Sequence, residues 1–248
     1  MRTTFQTTVL YGWLTLVALL ALGQDTSRGD QAWDDLESQL RHSGVQTNTS
    51  SLIKAALANP AESLRWMAIE VLGLRGEQEA RPALRRILSE DSSRLLQESA
   101  ALALARLKDE TGIPALRQFM RTSTHPQRQL FLAARLAEFG DSTGYQFVKE
   151  ATTSKDEQLR YVSVASLVPF IPFEVANHLA IDPLERLIAL ASDKDPAIRK
   201  EALIEFSLAV PKGAPLERLK EVAIRMKNDP ETSVQQAADS FLALWSMK

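Results

Sequence analysis

The 248-residue chain contains no cysteine, which excludes disulfide bonds, thiolate metal sites and cysteine nucleophiles. Glycine and proline are sparse, with 10 and 11 residues, and good helix formers dominate the rest. The net charge is only −2, whereas a dedicated nucleic-acid-binding protein should show a basic footprint. With 45% hydrophobic and 24% charged residues, the composition is that of a folded globular protein. An all-helical fold is therefore the first expectation.

A charge-free apolar run, Val9–Gly23, lies close to the N-terminus. It follows a segment whose one charged side chain is Arg2, and it ends in the small residues Ala21 and Gly23. These features are typical of a secretory signal peptide cleaved near Gly23–Gln24. An uncleaved membrane anchor is the alternative, but the run has 15 residues and a spanning helix needs about 20. We therefore interpret residues 1–23 as a signal peptide and expect an exported protein, periplasmic or secreted.

The remainder of the chain repeats with a period of about 32 residues. RPALRRIL (81–88) matches IPALRQFM (113–120), and PLERLIALA (183–191) matches PLERLKEVA (215–223), both at an offset of 32. A second apolar-periodic segment follows each of these, with a polar anchor residue at a fixed place. The anchors are Arg65, Gln97, Gln129, Arg160, Arg199 and Gln235. A period of this length signals a repeat array.

The apolar pattern inside one unit is helical. Leu64, Met67, Ala68, Val71 and Leu72 fall on one stripe of a helix, and no window shows the sustained alternation of a strand. Each unit is therefore predicted to be a helix, a turn and a second helix, which must stack on its neighbours to bury its apolar face. We expect six units from about residue 49 to residue 245, with a helix at 31–42 as an N-terminal cap.

The segments AESLRWMAIEVLGLRG (61–76) and SDKDPAIRKEALIEF (192–206) resemble HEAT repeats, of the short type also found in phycobilin lyases. The resemblance implies a right-handed α–α superhelix over residues 49–248, preceded by a linker and capping helix at 24–48. It also implies that the second helices line a concave surface. The family places an Asp in the turn six residues before the Arg of the second helix, a pair that is complete here as Asp193 and Arg199. We interpret such pairs as structural, with the acceptor capping the second helix and the anchor bridging neighbouring turns.

The sequence shows no catalytic or metal-binding motif. The three histidines, His42, His125 and His178, stand singly, without a second ligand at metal-binding spacing. We therefore predict no catalytic residue, no cofactor and no metal, and a protein that is not an enzyme.

Partner binding is predicted on the second helices. Helical geometry places the residue after each anchor roughly opposite the buried stripe, and aromatic residues there are favoured interface anchors. On the predicted concave face, the large apolar members would bury against a protein or peptide, while the charged members set its register. The alternative is that each side chain folds back onto the adjacent repeat. The candidate residues are Trp66, Glu98, Leu130, Tyr161 and Lys200.

A second candidate surface is a basic column on the first helices. Arg85, Arg117 and Lys149 are spaced 32 residues apart and should stack along the array. They could steer an acidic partner or anionic lipid headgroups, or simply form a solvated face.

The leading hypothesis is an exported, non-catalytic scaffold that binds a protein or peptide on its concave face. Nucleic acid is not expected as a partner, and membrane contact is expected only through an uncleaved N-terminal segment. One alternative is a lyase-like or chaperone-like protein that handles a chromophore. Another is an accessory subunit of an envelope complex, which would dock through an exposed edge formed by Phe170, Ile171 and Phe173.

Overall fold

A computed structural model describes residues 26–175 and 182–246 of the chain. The chain divides into two compact units, residues 1–115 and 116–248. Every regular element within the described ranges is helical, so the predicted all-α fold class is confirmed. Over the same ranges, no helix combines the length and the apolar character needed to cross a membrane. The predicted signal peptide, residues 1–23, lies outside the described residues.

The first unit contains an N-terminal helix and two helix pairs. The N-terminal helix, α1, begins before the predicted residue 31 and ends at His42 as predicted. A third pair begins with α6 (Gly112–Thr122), which runs across the boundary between the units. The helices of the first unit are α1 (Thr26–His42), α2 (Thr49–Ala58), α3 (Glu62–Leu74), α4 (Arg81–Glu90) and α5 (Arg94–Arg106), with a 3-10 turn at Gln78–Ala80.

Short polar side chains and a proline fix where these helices begin. The Asn48 side chain accepts the N–H of Ser51 at the start of α2, and the Ser93 side chain accepts the N–H of Leu96 at the start of α5. Pro82 stands in the first turn of α4, where an N–H would have no partner within the helix. The turns between helices therefore follow from local sequence.

The second helices, α3 and α5, form the centre of the first unit. Helix α3 contacts α1, α2 and α5, and α5 also contacts α4. The core between these helices contains Leu52, Ile69, Leu72, Leu96 and Leu104, all fully buried. Each buried side chain of this size contributes about 1.5–3 kcal/mol to stability. Neighbouring pairs thus bury one another's apolar faces, as expected for a repeat array.

The helices of the second unit also pair in chain order. Counted over both units, the described residues form six helix pairs, as predicted. The residues that lengthen the period form α10 and the 3-10 turns. The helices are α7 (Pro126–Glu138), α8 (Tyr145–Ala151), α9 (Glu157–Leu167), α10 (Ile171–Val175), α11 (Pro183–Leu190), α12 (Pro196–Ala209), α13 (Leu216–Met226) and α14 (Thr232–Ser246), with 3-10 turns at Val168–Phe170 and Val210–Lys212.

The apolar run after α9 belongs to the core of the second unit. The prediction of an exposed docking edge is wrong, because Phe170 and Ile171 are fully buried and Phe173 is half-buried. The prolines of this run do end α9, but the chain continues into a 3-10 turn and α10 that fold the rings inwards. The Phe170 ring lies 5.2 Å from the Tyr145 ring and 6.1 Å from the Phe173 ring, measured between centroids. The run therefore serves packing rather than docking.

Candidate functional site

Arginine anchors of the second helices link successive repeats. In the second unit, Arg160 donates to both carboxylate oxygens of Asp193, at 2.9 and 3.2 Å. Arg199 likewise donates to both oxygens of Asp229, at 2.8 Å each. Each anchor thus reaches the turn of the following repeat, which confirms the predicted bridging role. Bidentate pairs of this kind combine strength with a fixed geometry.

The acidic residue of the turn holds the turn and does not itself cap the helix. Asp193 accepts the N–H of Asp195 at 2.9 Å, and Asp195 then caps α12 by accepting the N–H of Ala197 at 2.8 Å. The cap therefore lies two residues later than predicted. Burial opposes the ionisation of Asp193, but hydrogen bonds from Arg160 and from the N–H of Asp195 outweigh it and lower the pKa of this carboxyl.

Each cation of the predicted basic column contacts an aspartate. Arg85 donates to both oxygens of Asp109 at distances from 2.7 to 3.2 Å, and the Asp109 side chain is fully buried. Burial opposes ionisation of Asp109, yet hydrogen bonds from Arg85 and Thr111 outweigh it and lower the pKa of Asp109 to about 2. The column is therefore part of the packing between elements, and its steering of a partner stays a prediction. In the second unit the pairs are Arg117 with Asp141, and Lys149 with Asp182 at 3.6 Å.

Two predicted partner-binding residues lie in the first unit. Trp66 is half-buried and packs against the apolar core of that unit. Glu98 is 3% exposed, so its predicted outward orientation is wrong. The reason is that α5 is covered both by α4 and by α3, whereas the helical pattern alone assumes a single covered face.

The other three predicted residues lie in the second unit. Leu130 is 2% exposed, so its outward orientation is also wrong, because α7 contacts α8, α9 and the 3-10 turn Val168–Phe170. Tyr161 is half-buried and Lys200 is exposed. Of this set, Tyr161 and Lys200 keep surface that a partner could contact.

Two glutamates that were not predicted as site residues lie beside Tyr161. Helix α9 carries Tyr161, and α12, which packs on α9, carries Glu201 and Glu205 one turn apart. The Tyr161 hydroxyl donates to Glu201 Oε2 at 3.2 Å. Glu205 is 5% exposed, and its buried Oε2 has no hydrogen-bond partner among the described residues.

The surroundings of these groups disfavour negative charge. Burial and the neighbouring Glu201 raise the pKa of Glu205 to about 8. Burial also raises the pKa of Glu201, and burial together with Glu201 raises the pKa of Tyr161 to about 12. All three side chains therefore favour their neutral forms more than the same groups do in water.

A pattern in the sequence could have revealed Glu205. The residue six places after the anchor lies on the apolar stripe of the first and last repeats, as Val71 and Phe241, so the charged Arg135 and Glu205 stand out in this column, and all six of its residues are buried in the structure. The column consists of Val71, Ala103, Arg135, Ser166, Glu205 and Phe241.

The first unit also carries an open groove of about 640 Å³ between α2 and α4. Ile53, Leu57 and Ile87 form its apolar lining, with Lys54 and Arg86 among its charged residues. Nothing in the sequence pattern predicted this groove.

Within the residues that the structure describes, no group of three or more His, Asp or Glu side chains is placed to hold a metal ion. His42 and His125 are exposed, and His178 lies outside the described residues.

Comparisons with known proteins concern the repeats. Residues 49–135 match the family model for HEAT repeats, which confirms the resemblance inferred from the sequence. No curated protein matches the chain. The solved structure of YibA from Escherichia coli is 16% identical, with a TM-score of 0.50, and the match covers 84% of this chain and 74% of YibA. A designed armadillo repeat protein solved with the peptide (KR)4 is 13% identical, with a TM-score of 0.46. The match covers 79% of this chain and 99% of the designed protein. At 16% identity, the likeness to YibA concerns the fold alone.

Proposed function

Because residues 49–135 are HEAT repeats, we propose that this chain is an exported, non-catalytic scaffold that binds a protein or peptide through its second helices. Repeat folds of this type present extended surfaces to partners and typically have no catalytic role. The observation that carries the proposal is the accessible surface retained on these helices, at Trp66 in the first unit and at Tyr161 and Lys200 in the second. Large aromatic side chains are frequent anchors of protein interfaces.

Capture of a partner tests the proposal. The full chain with a C-terminal tag would be used to capture proteins from the native envelope and secreted fractions, beside Tyr161→Ala and Lys200→Glu. Lys155→Glu is the matched control for Lys200→Glu, because Lys155 is also exposed but lies outside the helices, just before α9. We expect one protein to be captured by the parent chain and by Lys155→Glu, and to be weakened by the other two variants.

Trp66→Ala requires a separate measurement because Trp66 also packs on the core. Its melting temperature and its capture would be measured together. Loss of capture with little change in melting temperature supports an anchoring role, whereas a large drop in melting temperature shows that Trp66 acts in the core. Equal capture of the partner by all variants would contradict the assignment of the second helices.

Export is tested by the mass of the protein from its native source. We expect a mature chain that begins at Gln24, found outside the cytoplasmic fraction, because residues 1–23 have the form of a cleaved signal peptide. A full-length chain in the membrane fraction would indicate the anchor instead. A full-length chain in the cytoplasm would overturn export.

A further inference from the structure

We propose that Tyr161, Glu201 and Glu205 form a binding site for the ammonium group of a lysine side chain on a protein partner. The proposal rests on the proposed function, because a bound polypeptide is what would bring a lysine to the second helices. All three residues lie in the second unit, on two helices that pack directly against each other.

The site has two partly exposed side chains above one buried carboxyl group. Tyr161 and Glu201 are half-buried and are joined across α9 and α12 by a 3.2 Å hydrogen bond. Glu205 lies one helical turn further along α12, nine-tenths buried, with Oε2 shielded from solvent and unpartnered among the described residues. Buried carboxyl oxygens in native proteins are almost always hydrogen-bonded. A donor supplied from outside would complete this site.

The chemistry favours a primary ammonium. Such a group has three N–H donors and no acceptor, and the site offers the Glu205 oxygen, the Glu201 carboxylate and the lone pairs of the Tyr161 hydroxyl. A calcium ion takes six to eight oxygen ligands, whereas this site has two carboxyl groups. Burial raises the pKa of both glutamates, and at Glu201 it outweighs the opposing effect of the nearby Lys200 charge, so a further positive charge would be stabilised here.

The surrounding residues fit a lysine stem and leave the site unfilled by the chain itself. Ile204, three residues after Glu201, is 43% exposed and offers an apolar surface to the methylene groups of a lysine. Lys200, next to Glu201 on the same helix, acts on that carboxyl group electrostatically, but its side chain is exposed and makes no hydrogen bond or ion pair within the described part of the chain.

The proposal is tested by a titration followed by NMR. The full chain, labelled with ¹³C at glutamate carboxyl groups, would be titrated with Nα-acetyl-lysine methylamide at pH 7. The same molecule acetylated at Nε, which has lost the charge, is the control ligand. We expect a saturable shift of the Glu205 carboxyl signal with the lysine probe alone. Binding should strengthen as the pH rises from 6 to 8, because an ionised Glu205 holds the ammonium better.

Three variants locate the binding. Glu205→Gln should weaken the probe by about tenfold or more, since it removes a charge-assisted hydrogen bond, and it should remain folded because the amide has the shape of the carboxyl group. Tyr161→Phe should weaken it less. Glu221→Gln, at an exposed glutamate on α13, is the matched control and should bind like the parent chain. Far-UV circular dichroism and melting temperature verify the fold of each variant.

The outcomes separate this inference from the proposed function. No saturable shift, an equal shift with the acetylated probe, or unchanged binding to Glu205→Gln would overturn the lysine site, even if a partner is captured through Trp66 or Lys200. A shift of Glu205 that calcium chloride produces equally well would also overturn it. Specific binding of the probe, lost in Glu205→Gln, supports the site even if no protein is captured.

Discussion

Among the described residues, carboxyl groups with little exposure differ in whether an arginine reaches them. Asp109, Asp193 and Asp229 each accept hydrogen bonds from an arginine. In each case the hydrogen bonds lower the pKa of the carboxyl group by more than burial raises it. Glu205 receives no such partner among the described residues, and its pKa is raised to about 8. The aspartates paired with an arginine hold neighbouring turns together. The unpaired Glu205 weakens the fold as it ionises. A group with such a perturbed pKa is a better candidate for a role in binding than the paired aspartates are.

Glu205 should make stability depend on pH in a defined direction. The ordinary pKa of this carboxyl is 4.5 and its pKa in the folded chain is about 8, so between these values the folded chain holds a proton that the unfolded chain releases. The free energy of unfolding should therefore fall as the pH rises from about 4.5 to about 8, by an amount on the order of a few kcal/mol. In Glu205→Gln this fall should be much smaller, as measured by urea unfolding across the pH range.

The pH dependence of Glu221→Gln and of Glu205→Gln is compared with that of the parent chain. Glu221→Gln, at an exposed position, should follow the parent chain at every pH. If Glu205→Gln also follows the parent chain, then the pKa of Glu205 does not change on folding and the predicted pH dependence is wrong. Glu201, whose pKa burial also raises, should leave a residual slope of the same sign.

At the scale of helices, three second helices end in the same way. The residues just past α3, α5 and α7 are Gly76, Lys108 and Gly140, and all three have positive φ, at 72°, 55° and 83°. The N–H of the next residue then bonds back to the last turn, as Asp109 does to the Leu104 carbonyl at 2.9 Å. This is the left-handed ending that glycine favours. Lys108 adopts it without being glycine, at a conformational cost.

Lys108→Gly should therefore stabilise the protein. Removing the strained side chain should raise the free energy of unfolding by about 0.5–1 kcal/mol after the added flexibility of the unfolded chain is deducted. Lys108 is exposed, so little packing is lost. The reverse exchange, Gly76→Ala, is the control, because there is open space around Gly76 and only its φ opposes a side chain. It should destabilise by about 1 kcal/mol; equal melting temperatures for all three chains would show that backbone strain is negligible here.

For the whole molecule, the periodic part of the fold was predictable and the burial of particular side chains was not. The period and the apolar stripes predicted six helix pairs and a capping helix because each depends on spacing along one helix. The outward orientation of Glu98 and Leu130 failed because the helices that carry them are covered on more than one side, α5 by α3 and α4, and α7 by α8, α9 and the 3-10 turn Val168–Phe170. The prolines around Phe170 indicated a helix end correctly but not that the rings fold into the core. Pairings between distant residues, such as Arg85 with Asp109, have no signature in a single sequence.

An array without disulfide bonds should loosen locally when one layer of its core is damaged, because each repeat contacts mainly its neighbours. Leu72→Ala and Phe206→Ala each remove a fully buried side chain, at a cost of about 2–5 kcal/mol, and the Phe206 ring also packs edge-on against Phe241 at 5.7 Å. By hydrogen exchange, Leu72→Ala should lose protection mainly in α2, α3 and α5, and Phe206→Ala mainly in α12 and α14. Leu244→Ala, at a side chain that is 51% exposed, should change little. If exchange instead rises evenly along the whole chain for either core variant, the repeats unfold as one cooperative body, and a partner bound at one repeat would then stabilise all of them.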